Sequence, residues 1–167
     1  MYDGRLSVAE VEARIRDLYD PYHQKLTTLI DDCEARFGYC LHLDCHSMKS
    51  VGNAMNDDEG TKRPDIVVSD LDGLTAPPLL TAAIADRLAA LGYRVQVNDP
   101  YKGAELIRRH SDVASRRFSV QIEINRALYM NEADLSRNAS FQRLAADLRV
   151  FVSSLPDVLS PYIDDRA

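Results

Sequence analysis

Two short stretches carry side chains of the types that perform hydrolysis. In "LDCHSMK", strand alternation places Asp44 and His46 on the same face. A neutral imidazole at a strand end is well placed to bind a metal, with a nearby carboxylate fixing its tautomer. In "SVQIEINR", Glu123 stands between Ile122 and Ile124. Apolar flanks remove hydration from a carboxylate and raise its pKa toward the range that a general base needs.

Each of these residues also has a structural interpretation, and the two strands alone leave the alternatives open. A histidine at a strand rim is more often a hydrogen-bonded residue than a metal ligand. Glu123 is equally well explained as a buried acid paired with Arg126. His42 lies four strand residues before His46, which is about 13 Å at ~3.3 Å per residue. That spacing is too long for a shared metal, so His42 is predicted to be structural.

Several cations lie near the ends of these two strands and of a third, "YRVQVND", in an otherwise acidic chain of net charge −6. They are Lys49, Lys102, Arg108, Arg109 and Arg126. Guanidinium groups bind carboxylates through two parallel hydrogen bonds, so a cluster of them predicts an anionic substrate. The alternative is that most are solvated or paired with acids, and this is the favoured interpretation for Arg108 and Lys102.

Composition limits the classes of function. At 167 residues the chain has the length of one domain, 1–167. The sequence pI of about 5.2 argues against a nucleic-acid or anionic-membrane surface, and no apolar run is long enough to span a bilayer. The N-terminus lacks a signal pattern, and three cysteines without a C-x-x-C pair indicate reduced thiols. We therefore expect a cytoplasmic protein without a structural zinc knuckle.

The first third of the chain carries a helical pattern. Apolar residues recur at steps of three and four from Ser7 to Phe37, and Ser7 with Glu10 fits a capping box. Pro21 interrupts the pattern, which predicts two helices or one kinked helix. Gly38 is placed to end it.

Strand and helix patterns then alternate. The strands are predicted in "YCLHLDC", "DIVVSDL", "YRVQVND" and "FSVQIEINRALYM". The helices are predicted over Thr75–Leu91, with Thr75 as the N-cap, and from Phe141 onward. This order predicts an α/β fold, a three-layer α/β/α sandwich with a mostly parallel or mixed sheet.

The chemistry-bearing segments are expected to meet at one edge of that sheet. In open α/β sheets, ligands bind outside the carboxyl ends of the strands. Three strands end in "DCHSMK", "NDPYKG" and "IEINR". The prediction is that these three ends converge, with His46 and Glu123 on one face and within ~12 Å, the range over which a metal, its water and a base can meet.

The motifs "LDCHSM", "NDPYKG" with "RRH", and "QIEINRALYMNE" resemble the N-formylglutamate amidohydrolase family. The resemblance runs from about Gly4 to Leu155. It implies a phosphorylase/hydrolase-like fold and a zinc-dependent hydrolase related to the zinc carboxypeptidases. Such enzymes convert N-formyl-L-glutamate, a small anionic amino-acid derivative, to formate and glutamate during histidine degradation.

The resemblance also implies roles for single residues. His46 of "DCHSM" is similar to the family's distal metal-ligand histidine, and Glu123 of "QIEINR" to the glutamate that activates water. The candidates for binding the substrate are Arg109, Arg126, Asn125, Asn98, Lys49 and His110.

The sequence departs from the family pattern upstream of His46. The family's other zinc ligands lie in an N-terminal segment, whereas this sequence has no His-x-x-Glu pair there and places His23 at the edge of a helix stripe. Phe118 stands where many relatives have a histidine. These departures predict a member that lacks the N-terminal third, with an incomplete sheet. Either the chain is an amidohydrolase that works through the ligands of a second copy in a homo-oligomer or through an unusual site, or it is a catalytically impaired carboxylate-binding module or remnant.

Overall fold

The computed structural model describes residues 4–55 and 58–163. Five α-helices and four β-strands are found in these ranges. The helices are α1 Val8–Arg14, α2 Asp20–Phe37, α3 Pro78–Ala90, α4 Glu105–Arg109 and α5 Phe141–Ile163. The strands are β1 Cys40–Met48, β2 Ile66–Ser69, β3 Val95–Val97 and β4 Arg117–Asn125. Within the described ranges, no helix combines the length and apolar character needed to cross a bilayer.

The N-terminal helices follow their sequence signals. The Ser7 hydroxyl accepts from the backbone of Glu10 while the Glu10 carboxylate accepts from the backbone of Ser7, so the predicted capping box is confirmed. Pro21 lies at the start of α2, directly after a π-helical turn, where its missing N–H interrupts the α-helical hydrogen-bond pattern. A π-helical turn, Ile15–Tyr19, joins the two helices. Gly38 ends α2 in the left-handed conformation, as predicted.

The four strands form one mixed sheet in the order β1-β4-β2-β3. β1 runs parallel to β4 over nine residues, β2 runs antiparallel to β4, and β3 runs parallel to β2. The α/β class with helices on both sides of the sheet is confirmed. The predicted convergence of three strand ends is wrong, because β2 enters the sheet against β4 and carries β3 with it. The carboxyl end of β3 therefore points away from those of β1 and β4, although Tyr101 of the following "NDPYKG" segment folds back against Arg63.

Helices α3 and α5 pack on the apolar face of the sheet. The core between them is built from side chains of β2, β4 and the two helices, which are fully or almost fully buried. They include Ile66, Val68, Leu80, Ile84, Leu88, Val120, Ile122, Phe151 and Leu155. This layer fixes the position of β4 and therefore the positions of the side chains on its opposite, polar face.

The start of α3 differs from the prediction. Thr75 is not its N-cap, because the helix begins at Pro78 and the capping position is Pro77, with an extended ψ of 133°. A residue that precedes proline is driven out of the helical region, so the two consecutive prolines delay the first turn. The buried Thr75 hydroxyl instead donates to the Ser119 carbonyl at 2.7 Å and fastens this loop to β4.

Candidate functional site

His46 and Glu123 lie directly opposite each other on the polar face of the sheet. The β1–β4 register pairs the two residues, and His46 Nδ1 is 3.9 Å from Glu123 Oε1. The prediction that the two side chains meet at one edge is therefore confirmed, while their roles stay predictions. The parallel pairing explains the meeting, because both strands present alternate residues to the same face and end at the same edge.

Asp44 orients the imidazole of His46. Asp44 Oδ1 is 3.1 Å from His46 Nε2, and Asp44 is buried while half of the His46 side chain is exposed. A carboxylate at this distance favours the tautomer that carries its proton on Nε2. The lone pair of Nδ1 is then left on the side that faces Glu123, where it can accept a proton or bind a cation.

Glu123 is a buried carboxyl group with an altered affinity for protons. It is 7% exposed, and Gln121 Nε2 donates to its Oε1 at 3.0 Å. Burial raises the pKa of Glu123 above its ordinary value, and the charges of His46, Arg63 and Arg126 oppose that rise. A carboxylate with a raised pKa is a better proton acceptor, which is what activation of a water molecule requires.

Arg63 is a site residue that the sequence analysis missed. Its buried guanidinium donates from Nε and Nη2 to both oxygens of Asp58, at 2.7 and 2.8 Å. It also lies over the ring of Tyr101, at 5.0 Å from the ring centroid, and close enough for its charge to act on Glu123. Arg63 stands in "KRPD", directly before a buried strand, and this position was the available sign that its side chain could be buried. The neighbouring residues did not predict that Tyr101 would pack against the Arg63 guanidinium.

Arg126 and Lys49 follow directly after the two strands that carry the pair. Arg126 Nε donates to the Ser47 hydroxyl at 3.2 Å, and its charge lowers the pKa of Glu123. The Lys49 carbonyl accepts from Arg63 at 3.4 Å. Arg126 is thus the predicted substrate-binding cation that the structure brings next to Glu123.

The two predicted asparagines are occupied by structural hydrogen bonds. Asn125 donates to the Pro64 carbonyl and accepts from the Ala127 backbone, both at 3.0 Å, so its amide closes the turn after β4. Asn98 exchanges hydrogen bonds with Asp70 and follows β3, two strands away from β4. The structure does not bring Asn98 to the His46–Glu123 pair, because β3 runs in the opposite direction to β4.

Arg109 and His110 belong to a second polar cluster. Arg109 Nη1 donates to the Tyr19 hydroxyl at 2.8 Å, and His110 Nε2 lies 2.7 Å from His23 Nδ1. The charge of His42 acts on His110, which places the cluster beside the first half of β1, about 13 Å along the strand from His46. The structure therefore separates these two predicted residues from the pair.

The described residues do not complete a zinc site. Catalytic zinc has three protein ligands and a water molecule. In the described part of the chain, no group of three or more histidine, cysteine, aspartate or glutamate side chains could hold a metal ion. His46 is the one imidazole beside Glu123, and its Nε2 is engaged by Asp44. The described residues alone therefore support no metal-dependent catalytic step.

Several known proteins are similar to most of this chain in sequence or in structure. The sequence is 30% identical to the N-formylglutamate deformylase of Pseudomonas putida over 72% of this chain and 44% of that protein. It is 29% identical to the N-formylglutamate deformylase of Pseudomonas aeruginosa over 79% of this chain and 52% of that protein. The crystal structure of N-formylglutamate amidohydrolase from Ralstonia eutropha JMP134 superposes with a TM-score of 0.82. It shares 40% identity over 98% of this chain and 57% of its own.

The similarity identifies a family and also shows a difference in length. The chain spans about half the length of the curated relatives that it matches. The family model for N-formylglutamate amidohydrolase matches residues 1–130, a segment that contains β1, β4 and the His46–Glu123 pair. On this ground the chain belongs to the N-formylglutamate amidohydrolase family.

Proposed function

We propose that the protein takes part in hydrolysis of the amide bond of N-formyl-L-glutamate, with Glu123 as the general base. The observation that carries the proposal is the His46–Glu123 pair, 3.9 Å apart on adjacent strands, in a member of this family. We further propose that the reaction belongs to histidine degradation, as the resemblance implies, and that it takes place in the cytoplasm.

The proposed chemistry uses Glu123 twice. As a base, its carboxylate takes a proton from a water molecule whose oxygen attacks the formyl carbon. As an acid, the carboxyl group then gives that proton to the departing nitrogen, so that the C–N bond breaks and formate and glutamate leave. Arg126, next to Glu123, is the cation best placed to bind a carboxylate of the substrate.

Zinc is part of the proposal as the cofactor that the resemblance implies, and His46 is its proposed ligand. A three-ligand site needs at least two more ligands than His46 provides. Because the described residues do not form such a group, we expect zinc to bind the isolated chain weakly and the chain to turn over slowly.

The second candidate function is a carboxylate-binding module that keeps Arg126 beside Glu123 but performs no hydrolysis. It is favoured by a different observation, that the described residues contain no three-ligand group. The two candidates share substrate binding near Arg126 and differ only in the release of formate.

Formate release from N-formyl-L-glutamate, with and without added zinc, tests the proposal. We expect slow release by the wild-type chain and a loss of about 100-fold or more in Glu123→Gln, since a general base contributes 10²–10⁴-fold. Glu12→Gln, a substitution of the same type on exposed α1, is the control and should leave the rate unchanged.

Three outcomes distinguish the alternatives. Equal rates for Glu123→Gln and the wild type would exclude Glu123 as the base. Binding of N-formyl-L-glutamate without any formate would select the binding module. Turnover at ordinary enzyme rates, about 1–10³ per second, would show that ligands outside the described group complete the site.

A further inference from the structure

We propose that Cys33 and Cys40 form a redox-sensitive dithiol, at which a hydroperoxide converts the two thiols to a disulfide that links α2 to β1. Cys33 lies one turn before the end of α2, and Cys40 is the first residue of β1. The inference concerns a modification site and does not depend on the proposed reaction.

The turn between α2 and β1 folds Cys40 back toward Cys33. Gly38 takes the left-handed conformation, with a φ of 80°, and its N–H donates to the Glu34 carbonyl at 2.6 Å. The Cys33 sulfur then lies 3.6 Å from the carbonyl oxygen of Tyr39, the residue directly before Cys40. The thiols of Cys33 and Cys40 also form a side-chain hydrogen bond. The two sulfur atoms are therefore in contact while both cysteines are free.

Ion pairs hold this turn of α2 against the start of β1. Arg117 is the β4 residue that pairs with Cys40 in the parallel register. Its guanidinium contacts the carboxylate of Asp31, at 2.8 Å, and that of Glu34, and these two acids stand on either side of Cys33 in α2. The backbone is thus already positioned, so that rotation of the two side chains is enough to join the sulfur atoms.

The two thiols differ in burial, which assigns their roles. Cys33 is half-buried, so an oxidant can reach its sulfur, whereas Cys40 is 6% exposed. Burial, and then the hydrogen bond with Cys33, raise the pKa of the Cys40 thiol. Cys40 therefore stays protonated at neutral pH, and a protonated thiol is a weak nucleophile. Cys33 is the sulfur that meets the oxidant, and Cys40 is the thiol that resolves the product.

The oxidation proceeds in two steps. In the first, the Cys33 sulfur attacks a peroxide oxygen, the O–O bond breaks, and a sulfenic acid forms while an alcohol leaves (water, if the oxidant is hydrogen peroxide). In the second, the Cys40 sulfur attacks the sulfenic sulfur, the S–O bond breaks, and the hydroxyl leaves with the Cys40 proton as water. The two sulfur atoms together lose two electrons, which the peroxide accepts. A thiol reductant reverses the change.

The third cysteine is too far away to compete. Cys45 lies five residues after Cys40 in β1, which is about 16 Å at ~3.3 Å per residue. The odd spacing also places its side chain on the other face of the sheet. The disulfide would form at the end of β1 opposite to His46, so it should leave the His46–Glu123 pair unchanged. It is compatible with reduced thiols in a resting cytoplasm, where disulfides are usually transient and redox-sensing.

Peroxide oxidation of purified Cys45→Ser, which retains only Cys33 and Cys40, tests the proposal. We expect both free thiols, counted after denaturation, to disappear together and dithiothreitol to restore them. Trypsin separates the two cysteines, so mass spectrometry should find the peptide 26–36 joined to the peptide 37–49 within one chain. The oxidised form should also unfold at a higher urea concentration than the reduced form, since the bond restrains the unfolded chain.

Matched variants separate this disulfide from other oxidation products. In Cys33→Ser and Cys40→Ser, each combined with Cys45→Ser, the joined peptides and the shift in urea midpoint should be absent. In the Cys40 variant, dimedone should trap Cys33 as the sulfenic acid. If Cys40→Ser does not fold, Cys33→Ser, at a half-buried position, serves as the control alone. Thiols that do not pair, a link between two chains, or pairing that occurs only in urea-unfolded protein would overturn the proposal.

Discussion

At the scale of single residues, the four histidines share one face of the sheet and divide into two groups. His46 stands with Glu123 at the carboxyl ends of β1 and β4. His42 lies 2.7 Å from the Ser119 hydroxyl, and His23 is stacked on His110 with ring centroids 5.0 Å apart. The second group joins α2 and α4 to the sheet and lies apart from the His46–Glu123 pair, so we expect it to contribute to stability.

The stability of the fold should therefore depend on pH near neutrality. Burial, and then the neighbouring His23, lower the pKa of His110 below its ordinary value of 6.5, and burial lowers the pKa of His42. The unfolded chain then binds more protons, so the free energy of unfolding should fall as the pH drops below about 6.5. His110→Gln should make that fall shallower. Urea midpoints at about pH 7.5 and about pH 5.5 measure it, and an unchanged difference would refute this role.

One part of the site, the His46–Glu123 pair, could be predicted from the sequence. Strand alternation and the apolar flanks of Glu123 were enough to bring Glu123 and His46 together, because a parallel register aligns strands residue by residue. Arg63 and Tyr101 were missed because they come from a loop and a returning segment, whose approach depends on tertiary packing. For Asn125, the motif alone did not reveal that backbone groups occupy its amide.

At the scale of elements, α3 carries much of the layer that supports β4. The helix has two neighbouring leucines with opposite environments: Leu80 is fully buried, and Leu79 is 75% exposed. We expect Leu80→Ala to lower the free energy of unfolding by about 2–5 kcal/mol. Leu79→Ala, the same substitution one residue earlier, should change it by less than about 0.5 kcal/mol. Chemical denaturation measures both, and equal losses would contradict the packing of α3 against β2 and β4.

The positions of the helices and strands could be predicted from local hydrophobic periodicity. The relative directions of the strands could not. Periodicity located α2, α3 and α5, and the β2-α3-β3 unit is parallel as a helical crossover requires. The direction of β2 against β4 could not be predicted, since "DIVVSDL" is apolar in either orientation. Among the described residues between β1 and β2 there is no helix, so they do not impose a parallel pairing.

At the scale of the whole molecule, the polar face and the open edge meet at His46. The His46–Glu123 pair lies on the edge strand and its neighbour, and His46 also borders an apolar cavity of about 230 Å³. The motifs predicted the family, which the relatives confirm. The resemblance implies a zinc ion with His46 as one ligand, but no further ligands could be predicted, because the sequence contains no upstream His-x-x-Glu pair and the described residues form no three-ligand group.

The proposed function requires that the face around Glu123 and Arg126 bind N-formyl-L-glutamate. Calorimetric titration of the purified chain measures this directly. We predict saturable binding that Arg126→Ala weakens by about 10- to 150-fold, equivalent to 1.5–3 kcal/mol for a charge-assisted contact. Arg109→Ala tests the other predicted cation, and Arg108→Ala, on exposed α4, is the control that should bind normally. No saturable binding, or binding that Arg126→Ala leaves unchanged, would contradict the account.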